Sequence, residues 1–81
     1  MPKSGIIELD LHGKNTYQAK IAIDAALRRS KGVYTIRLIH GFNSGTALRD
    51  MIRREYTDAP QIIELRAGEN AGITEMVLRR L

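Results

Sequence analysis

The sequence predicts an α/β (α+β sandwich) domain with the element order βαβαββ. Two observations predict it: two β-prone runs are each followed by an amphipathic helical pattern, and two further β-prone runs, joined by a glycine-containing turn, end the chain. Because crossovers between parallel strands are right-handed, we expect both helices on one face of a four-stranded mixed sheet, with the final strand antiparallel to its predecessor.

The first strand and the first helix are predicted from residues 6 to about 30. The β-prone run 6–11 stops at His12-Gly13. Asn15 and Gln18 have the spacing of a capping box, so the helix begins at Thr16 and extends to about Ser30. The residues at helical spacing on its inner face are Ala19, Ile23, Ala26 and Leu27, while Lys20, Asp24 and Arg28 form i,i+4 pairs on another face.

The remaining elements are predicted from the same two patterns, the β-prone runs and the helical spacing of apolar residues. A second strand is expected over residues 34–39, a helix over 47–56, and the last strands over 62–66 and 73–81. Alternation along the second strand places Ile36, Leu38 and His40 on one side and Arg37 and Ile39 on the other. The second helix is expected to bury Leu48, Met51, Ile52 and Tyr56.

Length and composition narrow the class of protein. With 81 residues, a single domain with its core over about residues 6–81 and a flexible segment 1–5 is expected. The absence of cysteine excludes disulfides, zinc-thiolate sites and thiol catalysis. No apolar run approaches the roughly 18 residues of a membrane span and no signal peptide is evident, so we expect a cytoplasmic protein without a membrane partner. The sequence leaves the oligomeric state open.

A net charge of +4, from 13 Lys and Arg against 9 Asp and Glu, favours polyanionic partners. A basic surface without any partner would give the same composition. Aromatic residues, at 5%, are too sparse for a base-stacking platform.

Polar residues at two strand ends mark the candidate catalytic site: Asp10, His12 and His40. The carboxyl ends of parallel neighbours meet at the sheet edge where ligands bind in open α/β sheets. Asp10 and His12, two residues apart, project together, so the carboxylate can fix the histidine tautomer for proton transfer. With His40 in the same crevice, one histidine acts as base and the other as acid. Alternatively, Asp10 and His12 bind a divalent metal ion that activates water, or these groups only hydrogen-bond neighbouring loops.

The loop 41–46 leads into the second helix, so backbone amides and the positive end of the helix dipole point into the same crevice and suit a phosphate. Ser44 or Thr46 alternatively serves as the helix N-cap. The candidate nucleic-acid-binding residues are Gly13, Lys14, Gly41, Asn43, Ser44, Gly45, Thr46 and Arg49.

These segments resemble the signature motifs of the Smr (small MutS-related) domain family. Residues 9–13, Leu-Asp-Leu-His-Gly, are similar to its LDLHG motif, His40-Gly41 and the following turn to its HGxG or TGxG motif, and Gly72-Ile73-Thr74 to its closing segment. The resemblance covers about residues 6–78 and implies a fold similar to the C-terminal domain of bacterial translation initiation factor three. Asn43 stands where the family commonly has a second glycine.

The resemblance implies binding to DNA or RNA, and nicking of DNA or cleavage of RNA in some family members. Two functions follow for this chain: an endonuclease centred on Asp10, His12 and His40, or a non-catalytic DNA- or RNA-binding module that uses the same basic crevice. A site for a small phosphate-containing molecule is a third interpretation. Steep weakening of binding with salt would distinguish the polyanion binders from the third.

Overall fold

A computed structural model describes residues 5–41 and 45–80 of the chain. Its elements are β1 (Ile6–Asp10), α1 (Thr16–Arg28), β2 (Thr35–Ile39), α2 (Ala47–Tyr56), β3 (Glu64–Ala67) and β4 (Ile73–Val77). The predicted βαβαββ order is therefore confirmed. The expectation of a flexible N-terminal segment falls on residues 1–5, of which all but Gly5 lie outside the described residues.

The four strands form one mixed sheet in the order β1-β2-β4-β3. β1 and β2 are parallel, with Leu9 opposite Leu38, and β4 is antiparallel to both β2 and β3. The final strand thus lies between β2 and its predecessor. As a result, β1 and β2 end side by side, and the loops that follow them share one end of the sheet.

The element ends differ from the predicted ones by a few residues, for local reasons. α1 ends at Arg28 and not at Ser30, whose hydroxyl donates to the Leu27 carbonyl at 2.7 Å and satisfies that helix-end group. β3 begins at Glu64 because the Ile62 amide is engaged in a turn with the Ala59 carbonyl. β4 ends at Val77, which lies opposite the first residue of β2.

Both helices pack on one face of the sheet, as predicted. The largest fully buried side chains among the described residues are Leu11, Ile23, Ile36, Leu38, Ile52, Met76 and Val33. Burying such a side chain stabilises the fold by about 1.5–3 kcal/mol. Leu48 departs from the prediction: it is only partly buried, because it also borders a cleft at the end of the sheet.

The N-terminus of α1 has the predicted capping box. The Asn15 carboxamide oxygen accepts the Gln18 backbone N–H at 2.7 Å, and the Gln18 side chain accepts the Asn15 backbone N–H at 3.0 Å. Two of the N–H groups left unpaired at a helix start are thereby satisfied. This cap sets where α1 begins, and so positions its first residues beside the end of β1.

A polar cluster joins the two helices. Tyr56 of α2 is only 3% exposed and its hydroxyl donates to the Asp24 carboxylate of α1 at 2.6 Å. Lys20 pairs with Asp24 at 3.5 Å and lies 4.8 Å from the centre of the Tyr56 ring. Burial, and secondly the hydrogen bond to Asp24, raises the pKa of Tyr56. The neutral hydroxyl is therefore the form that the folded protein requires.

We expect stability to fall as the pH rises above about 10, where a tyrosine in the unfolded chain ionises. In that range the unfolded state binds fewer protons than the folded state, so the free energy of unfolding decreases with pH. Tyr56→Phe should remove this dependence and cost about 1–2 kcal/mol at neutral pH, because the Asp24 bond is lost. Urea unfolding across the pH range measures both effects. Tyr17→Phe, at a ring that is 73% exposed, is the control; equal pH profiles for the two variants would contradict the expectation.

The face of the sheet opposite the helices carries a row of alternating charges. Glu8, Arg37, Glu75 and Arg66 lie side by side across the four strands. Arg37 contacts Glu8 at 2.9 Å and Glu69 at 2.5 Å, and Arg66 contacts Glu75 at 2.9 Å. Because each cation has a carboxylate neighbour, this face adds little to the net positive charge. Within the described parts of the chain, neither helix has the length and apolar character needed to cross a membrane.

Candidate nucleic-acid site

A cleft of about 810 Å³ lies where β1 and β2 end and where α1 and α2 begin. Its lining includes six of the sequence-predicted site residues: His12, Gly13, Lys14, His40, Gly41 and Gly45. Asn15, Thr16, Ile39, Ala47 and Leu48 complete the described lining. This is the position at which ligands bind in open α/β sheets, outside the carboxyl ends of adjacent strands.

Asp10 and His12 form a hydrogen-bonded pair at the rim of this cleft. The Nδ1 of His12 lies 2.7 Å from Oδ1 of Asp10, and the same oxygen accepts the His12 backbone N–H at 3.1 Å. The side-chain hydrogen bond from His12, together with the backbone one, lowers the pKa of Asp10. Asp10 is therefore an acceptor at neutral pH, so the proton of the imidazole is on Nδ1.

This tautomer leaves Nε2 of His12 as the basic nitrogen. The His12 side chain is 73% exposed, and its ring borders the cleft. An imidazole held by a carboxylate through Nδ1 can accept a proton at Nε2 from a bound hydroxyl or water, or donate one to a leaving group. Asp10 is not among the described residues that line the cleft, and His12 lies between it and the cleft.

His40 lies at the same cleft in a different environment. It is 6% exposed. Its Nδ1 is 2.8 Å from the Gly41 carbonyl, and its Nε2 is 2.9 Å from the Thr74 hydroxyl. Because a carbonyl only accepts, Nδ1 donates and the Thr74 hydroxyl donates to Nε2 when the ring is neutral. Both ring nitrogens of His40 thus have protein partners, whereas the Nε2 of His12 has none among the described residues.

Thr74 and Gly72 belong to the site, although neither residue type by itself indicates catalysis. The Gly72 carbonyl accepts the backbone N–H groups of His40 and Gly41 at 2.9 and 3.0 Å. The hydroxyl of Thr74, on the central strand β4, orients the His40 ring. The signal in the sequence was the closing segment Gly72-Ile73-Thr74, which carried part of the family resemblance.

Gly41, just after β2, lies close to His12. Its φ of +74° is in the left-handed region, and a Cβ added there would lie 3.7 Å from the Cβ of His12. Gly32, in the turn after α1, has a similar φ of +79° with open space around it. The two glycines therefore share a backbone conformation and differ in whether they adjoin the site.

We expect Gly41→Ala and Gly32→Ala to destabilise the protein similarly, by about 1–2 kcal/mol, because each forces a left-handed conformation on an L-residue. Only Gly41→Ala should weaken ligand binding at the cleft, since relaxation there moves the carbonyl that His40 contacts. Thermal unfolding and binding titrations of both variants provide the comparison. Equal binding by the two would show that the Gly41 backbone does not shape the site.

At the start of α2, the described residues provide no side-chain cap for the backbone amides. Thr46 occupies the N-cap position, but its hydroxyl donates to the Asp50 carboxylate at 2.8 Å and not to the helix. Ala47 and Leu48, the first residues of α2, line the cleft. Of the two N-cap candidates that the sequence offered, Thr46 therefore occupies the position without forming the capping hydrogen bond. Asn43 and Ser44, both predicted as binding residues, lie outside the described residues.

The two predicted phosphate-binding cations occupy different positions. Lys14 is exposed and lines the cleft. Arg49 does not line it; its side chain is 34% exposed and its Nε lies 3.7 Å from the Asp50 carboxylate. Lys14 is therefore the cation available to an anion in the cleft.

A bound metal ion, the alternative predicted for Asp10 and His12, would need more ligands than these two. Among the described residues, no group of three His, Cys, Asp or Glu side chains comes together in a way that would hold a metal ion. The Nδ1 of His12 is already bonded to Asp10. The three or four protein ligands of a zinc site are therefore not assembled by the described residues.

The sequence model of the Smr domain family matches residues 9–78 of this chain. This chain belongs to the Smr domain family. It is 34% identical to Endonuclease MutS2 of Thermus thermophilus, in an alignment of 89 residues that covers 96% of this chain and 11% of that protein. The chain therefore spans about 11% of the length of this curated relative.

The crystal structure of the Smr domain of Thermus thermophilus MutS2 has the same fold. It superposes with a TM-score of 0.80 at 30% sequence identity, covering 91% of this chain and 99% of that chain. The resemblance inferred from the LDLHG-type segment and the expected fold are both confirmed.

Proposed function

We propose that this Smr domain binds nucleic acid and cleaves a phosphodiester bond, with His12 as the proton-transferring residue and Asp10 as the residue that orients it. The observation that carries the proposal is the 2.7 Å hydrogen bond between Asp10 and Nδ1 of His12, with the ring exposed at the cleft. The name of the relative, Endonuclease MutS2, supports this reaction class.

Each part of the cleft has a role in this proposal. Lys14 and the amides at the start of α2 bind a backbone phosphate. The Nε2 of His12 then removes a proton from the attacking oxygen, which is the 2′-hydroxyl in RNA or a water molecule in DNA. As this oxygen bonds to phosphorus, the bond from phosphorus to the leaving oxygen breaks, and the leaving oxygen takes its proton from the His12 imidazolium or from water. Asp10 stabilises the imidazolium that forms, because it is already ionised and hydrogen-bonded to Nδ1.

We assign His40 a positioning role. Its two ring nitrogens are hydrogen-bonded to the Gly41 carbonyl and the Thr74 hydroxyl. Proton transfer through His40 would require one of these hydrogen bonds to break. The two-histidine scheme, in which His40 is the acid, predicts a bell-shaped pH profile whose second limb disappears in His40→Ala. A positioning role predicts a lower rate and lower stability with the shape of the profile retained.

The test is an assay of the purified protein on labelled single-stranded RNA, supercoiled DNA and branched DNA, each with EDTA or with added Mg²⁺. We expect retention of nucleic acid at low salt and cleavage of at least one substrate. Cleavage that persists in EDTA supports proton transfer by His12 alone, whereas loss in EDTA supports a metal-activated water. Binding without cleavage would assign the chain to non-catalytic binding modules, and no retention of any substrate would overturn the proposal.

A further inference from the structure

The positive charge of this protein is concentrated away from the cleft. Around the cleft, Arg49 lies 3.7 Å from the Asp50 carboxylate, and Lys14 is close enough to Asp10 to lower the pKa of that carboxyl, so each cation has a carboxylate in its vicinity. The row of charges across the sheet is likewise balanced. The excess of cations that gives the chain a net charge of +4 must therefore lie elsewhere.

Five exposed cations, which we call the basic end, lie at the opposite end of the sheet: Arg28, Arg29, Lys31, Arg79 and Arg80. The first three end α1 and begin the turn into β2, and the last two follow β4. Among the described residues, the ion pair found there joins Arg80 to Glu64 at 2.7 Å. One paired carboxylate against five cations leaves an excess of positive charge within this part of the structure.

Backbone hydrogen bonds bring the two segments of the basic end together. The N–H groups of Leu78 and Arg79 both donate to the Tyr34 carbonyl, at 2.7 and 3.4 Å. The Val33 N–H donates to the Ser30 carbonyl at 2.9 Å and closes the turn that contains Lys31. The two segments that carry the cations are therefore adjacent, although about 50 residues of sequence separate them.

The basic end and the cleft are separated by the length of α1. This helix begins at the cleft, where Thr16 is part of the lining, and ends at Arg28. Its 13 residues span about 20 Å, since an α-helix rises about 1.5 Å per residue. That distance exceeds the screening length of about 8 Å at physiological salt. An anion at the cleft thus gains little from the basic end.

We propose that the basic end is a second binding surface for the sugar-phosphate backbone of nucleic acid. Four of its five cations are arginines, whose planar guanidinium groups bind phosphate through paired hydrogen bonds. Arg28 and Arg29 lie at the negative end of the α1 dipole, which by itself favours cations at these positions. That explanation does not apply to Arg79 and Arg80, which follow a strand. The identity of the polyanion rests on the proposed function; the location of the surface rests on the charges and the hydrogen bonds through Tyr34.

The test compares two double variants that each remove two exposed cations. Lys31→Gln/Arg79→Gln alters the basic end, and Arg53→Gln/Arg54→Gln alters α2 and is the matched control. We expect the basic-end variant to bind a labelled RNA or duplex DNA at least about tenfold more weakly at low salt, and its log–log salt slope to be flatter by about two units. The control should bind like the unmodified protein. Unchanged melting temperatures show that both variants are folded.

The outcomes separate this inference from the proposed function. Equal losses in the two double variants would show a general effect of net charge and overturn the second surface. If Lys14→Gln loses nucleic-acid binding while both double variants retain it, all binding belongs to the cleft. That outcome overturns the inference and leaves the proposed function standing. Binding through the basic end without cleavage would support the inference and overturn the nuclease. Binding to vesicles containing phosphatidylserine, but not to nucleic acid, would overturn both and assign the surface to a membrane.

Discussion

Replacing His12 by alanine is expected to lower the rate of nucleic-acid cleavage by about 10²- to 10⁴-fold, the range that a single general acid–base residue contributes. The physical reason is that the His12 ring borders the cleft and that Asp10 holds its Nδ1. Nε2 is therefore the basic nitrogen of the ring. Affinity for the substrate should change little, because the residue acts on the transition state and contributes little to phosphate binding. Single-turnover kinetics and an equilibrium binding titration separate the two quantities.

Asp10→Asn should produce a smaller loss in the same direction, because an amide neither stabilises the imidazolium nor enforces the Nδ1–H tautomer. The hydrogen bonds from His12 lower the pKa of Asp10, so its carboxylate is ionised at neutral pH and Asp10→Asn removes a negative charge from beside the ring. Partial rescue of His12→Ala by added imidazole would identify the missing group. Gln61→Ala, at an exposed residue outside the described cleft lining, is the control. If His12→Ala cleaves as fast as the unmodified protein, the activity belongs to another site or to a contaminant.

Replacing Ile23 by alanine is expected to destabilise the protein by about 2–5 kcal/mol, a large part of the total stability of a small domain. Ile23 is 0% exposed and lies in the core between α1 and the sheet, so truncation leaves a cavity that close-packed neighbours fill only partly. The free energy of unfolding from urea titration measures the loss.

Ile21→Ala is the matched control for Ile23→Ala. It is the same substitution in the same helix, at a side chain that is 52% exposed. We expect a change within about 0.5 kcal/mol, as for most surface positions. Similar losses at Ile21 and Ile23 would mean that the side of α1 assigned to the core is incorrect.

The local elements and the faces of the helices were predictable from the sequence because they depend on short-range periodicity. The Asn15 and Gln18 spacing predicted the start of α1, and the apolar spacing around Ile23 predicted which face packs on the sheet; both are confirmed. The start of β3 differs from the predicted one by two residues, and the sequence left open whether Thr46 caps α2, because both depend on which partner a backbone or hydroxyl group finds among its neighbours.

The element order, the family and the pairing of Asp10 with His12 follow from the sequence alone, since two residues so close together at a strand end can meet without help from the rest of the fold. The placement of β4 between β2 and β3, which brings Thr74 to the ring of His40 and occupies both of its nitrogens, is known only from the folded chain. The same is true of where the net charge lies, because segments about 50 residues apart meet at Tyr34. These features depend on long-range strand pairing, and no local pattern of residues encodes the partner of a strand.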